Sequence, residues 1–82
     1  MEVKEQIIAV IASALNIETE QINSISEDEN LNRIGVDSVN FIEIIINLED
    51  KLNIVFDDEE LLLDNLNTLN KLEKVVSQKL GN

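Results

Sequence analysis

Asp37 and Ser38 stand directly before a long apolar stretch, in a segment that reads RIGVDSVNFIEIIINLEDKL from Arg33 to Leu52. An aspartate or serine at such a position can cap the helix that follows, because its side-chain oxygen accepts a hydrogen bond from a backbone N–H. A serine hydroxyl can also act as a nucleophile, or it can be the point at which another group is attached. The rest of the chain decides among these roles.

Nucleophilic catalysis by Ser38 lacks its usual partners. The sequence contains no histidine and no cysteine, so neither a Ser-His-Asp nor a Cys-His arrangement can form. The same absence removes zinc sites of ordinary composition. We therefore do not expect Ser38 to catalyse hydrolysis.

The acidic residues do not match a calcium-binding loop. An EF-hand loop that begins at Asp28 fails at two required positions, because Arg33 stands where the loop needs glycine and Val39 stands where it needs a bidentate acid. The run of acids from Asp57 to Glu60 is typical of a solvated face. No metal site is predicted.

A phosphate attached to Ser38 would lie at the first turn of a helix. Free backbone N–H groups and the positive end of the helix dipole favour a negative charge there, so the position suits a phosphodiester tether. Taken alone, however, an Asp-Ser dipeptide is more often a plain capping sequence. The dipeptide itself leaves both roles open.

The elements that position Ser38 are predicted to be helices. Residues 1–82 are long enough for a single domain, and 44% hydrophobic residues with only 2% aromatic residues require a core of Ile, Leu and Val. With no proline and two glycines, the chain lacks the turn residues of an all-β fold. We predict an all-α fold: a small four-helix bundle of three longer helices and one short helix, with a long first loop.

Apolar spacings of three and four residues predict helix one from Glu2 to Leu15. Residues 16–37 are polar with single apolar residues between them, which predicts a long loop with a short turn of helix at Thr19–Ile22. The expected apolar anchors of this loop are Ile17, Ile22, Ile25, Leu31 and Ile34. A loop of this length in a compact domain is usually functional.

Helix two is predicted from Ser38 to Leu52, with Asp37 as its N-cap. Its β-branched residues favour a strand, but the segment is longer than an ordinary strand and its apolar residues recur at helical spacing. The expected apolar stripe is Ile42, Ile45, Leu48 and Leu52.

Two further helices complete the predicted bundle. Acids at residues 57–60 favour the start of a short third helix over LLLDNL, residues 61–66. Thr68 is expected to cap the final helix and Gly81 to end it. The expected stripe of this helix is Leu69, Leu72, Val75 or Val76, and Leu80.

The net charge of −11 is concentrated in the middle of the chain. Between Glu18 and Asp64, fourteen acids stand against Arg33 and Lys51, which gives −12. Such a field repels nucleic acid and anionic lipid and attracts basic protein surfaces. The lack of cysteine suits a reducing compartment, and no signal peptide or membrane-spanning stretch is visible. We expect a cytoplasmic monomer with basic protein partners, no nucleic acid and no membrane insertion.

The segment IGVDSVNFIEIIINLED, residues 34–50, resembles the region around the modified serine of the acyl carrier protein family. The pattern of that family is Leu-Gly-x-Asp-Ser-Leu followed by an acidic amphipathic helix, and the order of helices and loops is similar along essentially the whole chain. The resemblance implies that Ser38 carries a 4′-phosphopantetheine arm, added by a phosphopantetheinyl transferase, and that Asp37 is a motif residue and helix cap.

The same resemblance implies a non-catalytic carrier of acyl thioesters. It would serve acyl-transferring and ketosynthase-type enzymes of fatty acid or polyketide biosynthesis, which would dock through basic surfaces. The implied partner-binding residues are Val39, Glu43, Ile46, Glu49 and Asp50. Three residues depart from the family pattern: Asn40 replaces a common acid, Lys51 adds a positive charge to the acidic face, and Asp57 lies where proline is frequent.

Two alternatives stay open at this point. A peptidyl or aryl carrier of a nonribosomal peptide pathway has the same fold and arm, but a glycine pair followed by His or Asp commonly precedes its serine. Here a lone Gly35 is followed by Val36 and Asp37, which together with the negative charge favours the acyl branch. The chain could also be an unmodified acidic helical interaction domain with Ser38 only as a cap. Burial of an acyl chain in the aliphatic core is left open.

Overall fold

The computed structural model describes residues 3–62 and 65–81, and within them it contains four α-helices and no strand. The helices are α1 (Val3–Leu15), α2 (Thr19–Asn23), α3 (Ser38–Leu52) and α4 (Leu69–Lys79). Two 3₁₀ turns lie at Leu31–Ile34 and Asp58–Glu60. The prediction of a small all-α bundle is confirmed.

Helix α1 packs against α2, α3 and α4. It carries the predicted apolar face, which is buried in the aliphatic core, while Glu2, the expected first residue, lies outside the described residues. The buried residues of α1 are Ile7, Ile8, Val10, Ile11 and Ala12. This helix is therefore the support on which the rest of the bundle is arranged.

The long loop before α3, residues 16–37, is called the first segment below. All five predicted apolar anchors pack on the core, with Ile22 and Leu31 fully buried. Backbone bonds tie it to the start of α4: the Leu31 N–H donates to the Asn67 carbonyl at 2.8 Å, and the Asn70 N–H donates to the Glu27 carbonyl at 3.1 Å. The loop is thus fixed over much of its length.

Helix α3 has the predicted bounds, but its buried face differs from the predicted stripe. The buried residues are Phe41, Ile44, Ile45 and Leu48, and Leu52 packs partly buried against them. Ile42 is 59% exposed, so its predicted place in the core is wrong. Six residues separate it from Leu48, which puts the two about 120° apart around the helix and leaves Ile42 at the edge of the buried arc.

The predicted short helix over residues 61–66 is wrong at its start. Leu61 and Leu62 lie outside any helix, and residues 63 and 64 lie outside the described residues. A 3₁₀ turn forms earlier instead, because the Asp57 N–H donates to the Glu60 carboxylate at 2.7 Å and closes a single turn over the acids. The short helix of the described bundle is α2, which the sequence indicated only as a turn.

Helix α4 begins as predicted, with the Thr68 hydroxyl accepting the Lys71 N–H at 3.1 Å. The buried residues of α4 are Leu69, Leu72 and Val76. Leu80 was also expected in this stripe, and that prediction is wrong: the helix ends at Lys79, and Leu80 is exposed.

Candidate functional site

Ser38 is an exposed residue at the first position of α3. Asp37, in an extended conformation before it, caps the helix: its Oδ1 accepts the N–H of Val39 at 3.0 Å and the N–H of Asn40 at 2.9 Å. The predicted cap is confirmed, and the side chain that accepts these two bonds is that of Asp37. The Ser38 hydroxyl is therefore not needed to start the helix.

Asn40 completes the cap, a role that the sequence reasoning missed. Its Oδ1 accepts the Asp37 N–H at 2.7 Å, and its Nδ2 donates to the Gly35 carbonyl at 2.8 Å. The signal was present, since a polar residue three positions after the cap is the pattern of a capping box. Asn40 thus holds the backbone on both sides of the turn that delivers Ser38.

Gly35 makes that turn possible through its backbone conformation. Its φ is +107°, in the left-handed region that side chains disfavour, and it ends the 3₁₀ turn Leu31–Ile34. A Cβ at this position would meet nothing within 4 Å, so the requirement for glycine comes from the dihedral angle and not from space.

The surroundings of Ser38 fit a phosphodiester, with one correction to the expectation. The N–H groups of Val39 and Asn40 are not free for a phosphate, because the Asp37 carboxylate already binds both. What remains is the helix dipole, which favours a negative charge at this end, and the exposure of the hydroxyl. A phosphate attached to Ser38 would therefore not be bound by these two N–H groups.

An apolar groove of about 450 Å³ begins at Ser38 and runs along α3. Its lining from α3 is Phe41, Ile42, Ile45 and Ile46. Leu61 lines it from the chain that follows α3, and Glu49 is the last α3 residue in the lining. Ser38 and Glu49 are eleven residues apart, or about 16 Å along a helix. The groove offers apolar surface directly beside the serine.

Of the five residues implied as partner-binding, four lie on one outer side of α3, within about 60° of one another, and Glu49 lies apart from them. Val39 and Ile46 are exposed apolar side chains, and with Glu43 they line a shallow cleft on the outer side of the helix. Asp50 is exposed beside Lys51 in a cleft shared with α1. Glu49 points elsewhere: it is half-buried, and its Oε2 accepts the Phe56 N–H at 2.9 Å.

The chain between α3 and α4, residues 53–68, is called the second segment below. Lys79 of α4 contacts it through three residues: its Nζ lies 2.6 Å from Glu60 Oε1, 4.0 Å from Asp57 Oδ2 and 5.6 Å from the centroid of the Phe56 ring. The hydrogen bond from Lys79 and that from the Asp57 N–H lower the pKa of Glu60 from its usual value, and burial opposes them in part. We refer to these four residues as the Lys79 cluster.

Among residues 3–62 and 65–81, no three acidic, histidine or cysteine side chains are grouped so that they could hold a metal ion. Over the same residues, no helix combines the length and the apolar character needed to cross a membrane.

Comparisons with known proteins agree with this geometry. Residues 5–76 match the family model described as "Phosphopantetheine attachment site". The acyl carrier protein of Helicobacter pylori is 40% identical to the chain over 60 residues, which cover 73% of this chain and 74% of that protein.

Family membership carries several conclusions. Members bear covalently attached 4′-phosphopantetheine, which makes the alternative of an unmodified interaction domain wrong, and they interact with phosphopantetheinyl transferase and with biosynthetic enzymes. The chain therefore belongs to the acyl carrier protein family, as a non-catalytic carrier of a phosphopantetheine prosthetic group.

Proposed function

We propose that Ser38 is the residue to which 4′-phosphopantetheine is attached, and that the chain carries acyl intermediates of fatty acid or polyketide biosynthesis as thioesters on this arm. The observation that carries the proposal is the exposed Ser38 hydroxyl at the first turn of α3, held by a cap that does not use it. Asp37 and Asn40 supply that cap, which leaves the hydroxyl available to the transferase.

Acyl cargo is supported over peptidyl cargo by the groove that begins at Ser38. Between Ser38 and Glu49 its lining is entirely aliphatic or aromatic, so it favours an alkyl chain over a charged aminoacyl group. The lone Gly35 before the motif and the name of the Helicobacter pylori relative support the same branch. Cytoplasmic location and a monomeric state remain predictions from the sequence.

Attachment at Ser38 can be tested by intact mass after incubation with coenzyme A and a broad-specificity phosphopantetheinyl transferase. The wild type is expected to gain one phosphopantetheine group, and Ser38→Ala none. Ser13→Ala, which changes an exposed serine of α1, is the matched control and should still be modified. Because Asp37 makes the capping bonds, the free energy of unfolding of Ser38→Ala should differ from that of the wild type by no more than about 0.5 kcal/mol. A mass gain in Ser38→Ala, or none in the wild type, would contradict the proposal.

We further propose that exposed acids of α3 guide the transferase and other basic partners to the arm. Glu43 and Asp50 are both exposed and seven residues apart, which places them on nearly the same side of the helix. Glu49 is the least accessible of the three implied acids, because it is half-buried and bound to the Phe56 N–H. Glu43 and Asp50 are therefore the acids to test first.

Glu43→Lys and Asp50→Lys should each slow phosphopantetheine transfer through the encounter rate, by roughly threefold to tenfold at low salt, and added salt should shrink the difference. Glu73→Lys makes the same charge change on α4, outside the acidic middle of the chain, and serves as the control. Equal slowing by all three would mean that only net charge matters. If none slows transfer, recognition is apolar, and Val39 and Ile46 become the residues to test.

A further inference from the structure

Most of the groove is lined by α3, and one wall is formed by Leu61 of the second segment. The Lys79 cluster lies next to this wall. Leu61 lines the groove from the described part of the second segment, and it follows Glu60 directly. The Lys79 ammonium holds the Glu60 carboxylate, and the Lys79 side chain is only 15% exposed. Because Leu61 is the next residue after Glu60, the position of this wall depends on the ion pair between Glu60 and Lys79 of the last turn of α4.

The second segment is also held from α3, but at a different point. The Glu49 carboxylate accepts the Phe56 N–H, and the Phe56 ring is buried in the core beneath the Lys79 ammonium. Phe56 is thus fixed from two helices, whereas for the chain from Asp57 to Leu61 the contact with α4 seen among the described residues is the one made by Lys79. Without that attachment, the wall could move while Phe56 stays in place.

We infer that Lys79 is a positioning residue that keeps the Leu61 wall closed on the groove beside Ser38, and so determines how well the carrier retains long acyl chains. The inference rests on the proposed function, because it takes the groove as the place where an alkyl chain on the Ser38 arm would lie. Lys79 is not among the described residues that line the groove. It acts through Glu60 and Leu61.

The first test needs no prosthetic group. In the apo protein, Lys79→Gln should accelerate amide hydrogen exchange at Asp57 and Leu61 by roughly threefold to tenfold, the effect of losing one charge-assisted contact. The Asn70 amide of α4, which donates to the Glu27 carbonyl of the first segment, should not change. Lys79→Arg keeps the charge and the donors and should restore slow exchange.

Lys74→Gln is the matched control, since it removes the same charge from an exposed position on the same helix. It should leave exchange at Asp57 and Leu61 unchanged. Equal acceleration by Lys74→Gln and Lys79→Gln would overturn the inference, because the cause would then be net charge. Equal acceleration at Asn70 and Leu61 would overturn it as well, because the whole fold would then be loosened.

The second test uses the holo protein loaded with octanoyl or acetyl groups. Cleavage of the octanoyl thioester by hydroxylamine should be about threefold to tenfold faster in Lys79→Gln than in the wild type, and cleavage of the acetyl thioester should be the same in both, because an acetyl group is too short to use the groove. An unchanged octanoyl rate would overturn the retention role. Failure to load the arm on the wild type would overturn the proposed function instead, and the exchange result would still decide on Lys79.

Discussion

Residues 16–37 connect α1 to α3 and residues 53–68 connect α3 to α4, yet the two segments are held by different kinds of contact. The first segment is anchored by backbone bonds, from the Leu31 N–H to the Asn67 carbonyl at the far end of the second segment and from the Asn70 N–H of α4 to the Glu27 carbonyl. The ion pairs Lys4–Glu27 and Glu29–Arg33 are added at its surface. The middle of the second segment is held chiefly by the charged side chains of Glu60 and Lys79.

This difference matches what each segment borders. The first segment ends at Gly35 and Asp37, which set the position of Ser38, and the backbone bonds that anchor it at Leu31 and Glu27 join uncharged groups, so salt and pH should affect them less than they affect ion pairs. The second segment supplies Leu61 to the groove, and contacts between charged groups weaken with salt and with protonation. The serine is thus presented rigidly, while the groove has a wall that charge can loosen.

The largest test of this comparison is the same substitution in each segment. Leu31→Ala should lower the free energy of unfolding by about 2–5 kcal/mol, because Leu31 is 2% exposed and its removal leaves a cavity in the core. Leu61→Ala should cost about 1 kcal/mol or less, because Leu61 is 37% exposed. Urea denaturation measures both. Equal costs would show that the middle of the second segment is packed into the core as firmly as Leu31.

A second, smaller test compares the aspartates that precede the two helical turns. Asp37→Ala should cost about 1–2 kcal/mol, because its carboxylate accepts two backbone N–H groups of α3. Asp57→Ala should cost less than about 0.5 kcal/mol, because the side chain is 78% exposed and lies 4.0 Å from Lys79. Thermal unfolding followed by circular dichroism gives the order. A larger loss for Asp57→Ala would reverse the proposed difference between the segments.

The sequence predicted those features that depend on local pattern. The bounds of α3 follow from the Asp37 cap and from a length that no ordinary strand reaches, in spite of the β-branched residues. The Thr68 cap and the five anchors of the first segment are local signals of the same kind. The amino-acid sequence alone was therefore enough to locate Asp37 and Ser38 at the start of a helix.

Features that depend on distant contacts could not be predicted in this way. The apolar run after residue 60 favours a helix by itself, but the turn of Asp58–Glu60 is fixed by Asp57 and by Lys79, which is far away in the chain. Ile42 has helical spacing to Ile45, and only the packing of the bundle places it at the edge of the buried arc. The groove depends on both facts, which is why its far wall could not be read from the sequence.

The smallest test uses pH and addresses Glu60 directly. The hydrogen bonds from Lys79 and from the Asp57 N–H lower the pKa of Glu60 in the folded protein, so the unfolded chain binds a proton there more readily than the folded one. The resulting stability is present above the usual pKa near 4.5, and it is lost as the pH falls through the lowered folded value.

Wild type and Glu60→Gln should therefore differ most near neutral pH, by less than about 1 kcal/mol because the pair is partly exposed. The difference should vanish once Glu60 is protonated in both states. Urea midpoints from about pH 7 down to about pH 3 measure it. Glu59→Gln changes an exposed neighbour that forms no ion pair within the described part of the chain, and it should stay close to the wild type throughout. If the difference between wild type and Glu60→Gln stays constant across this range, the second segment is held by packing, and its contrast with the first segment is not one of charge.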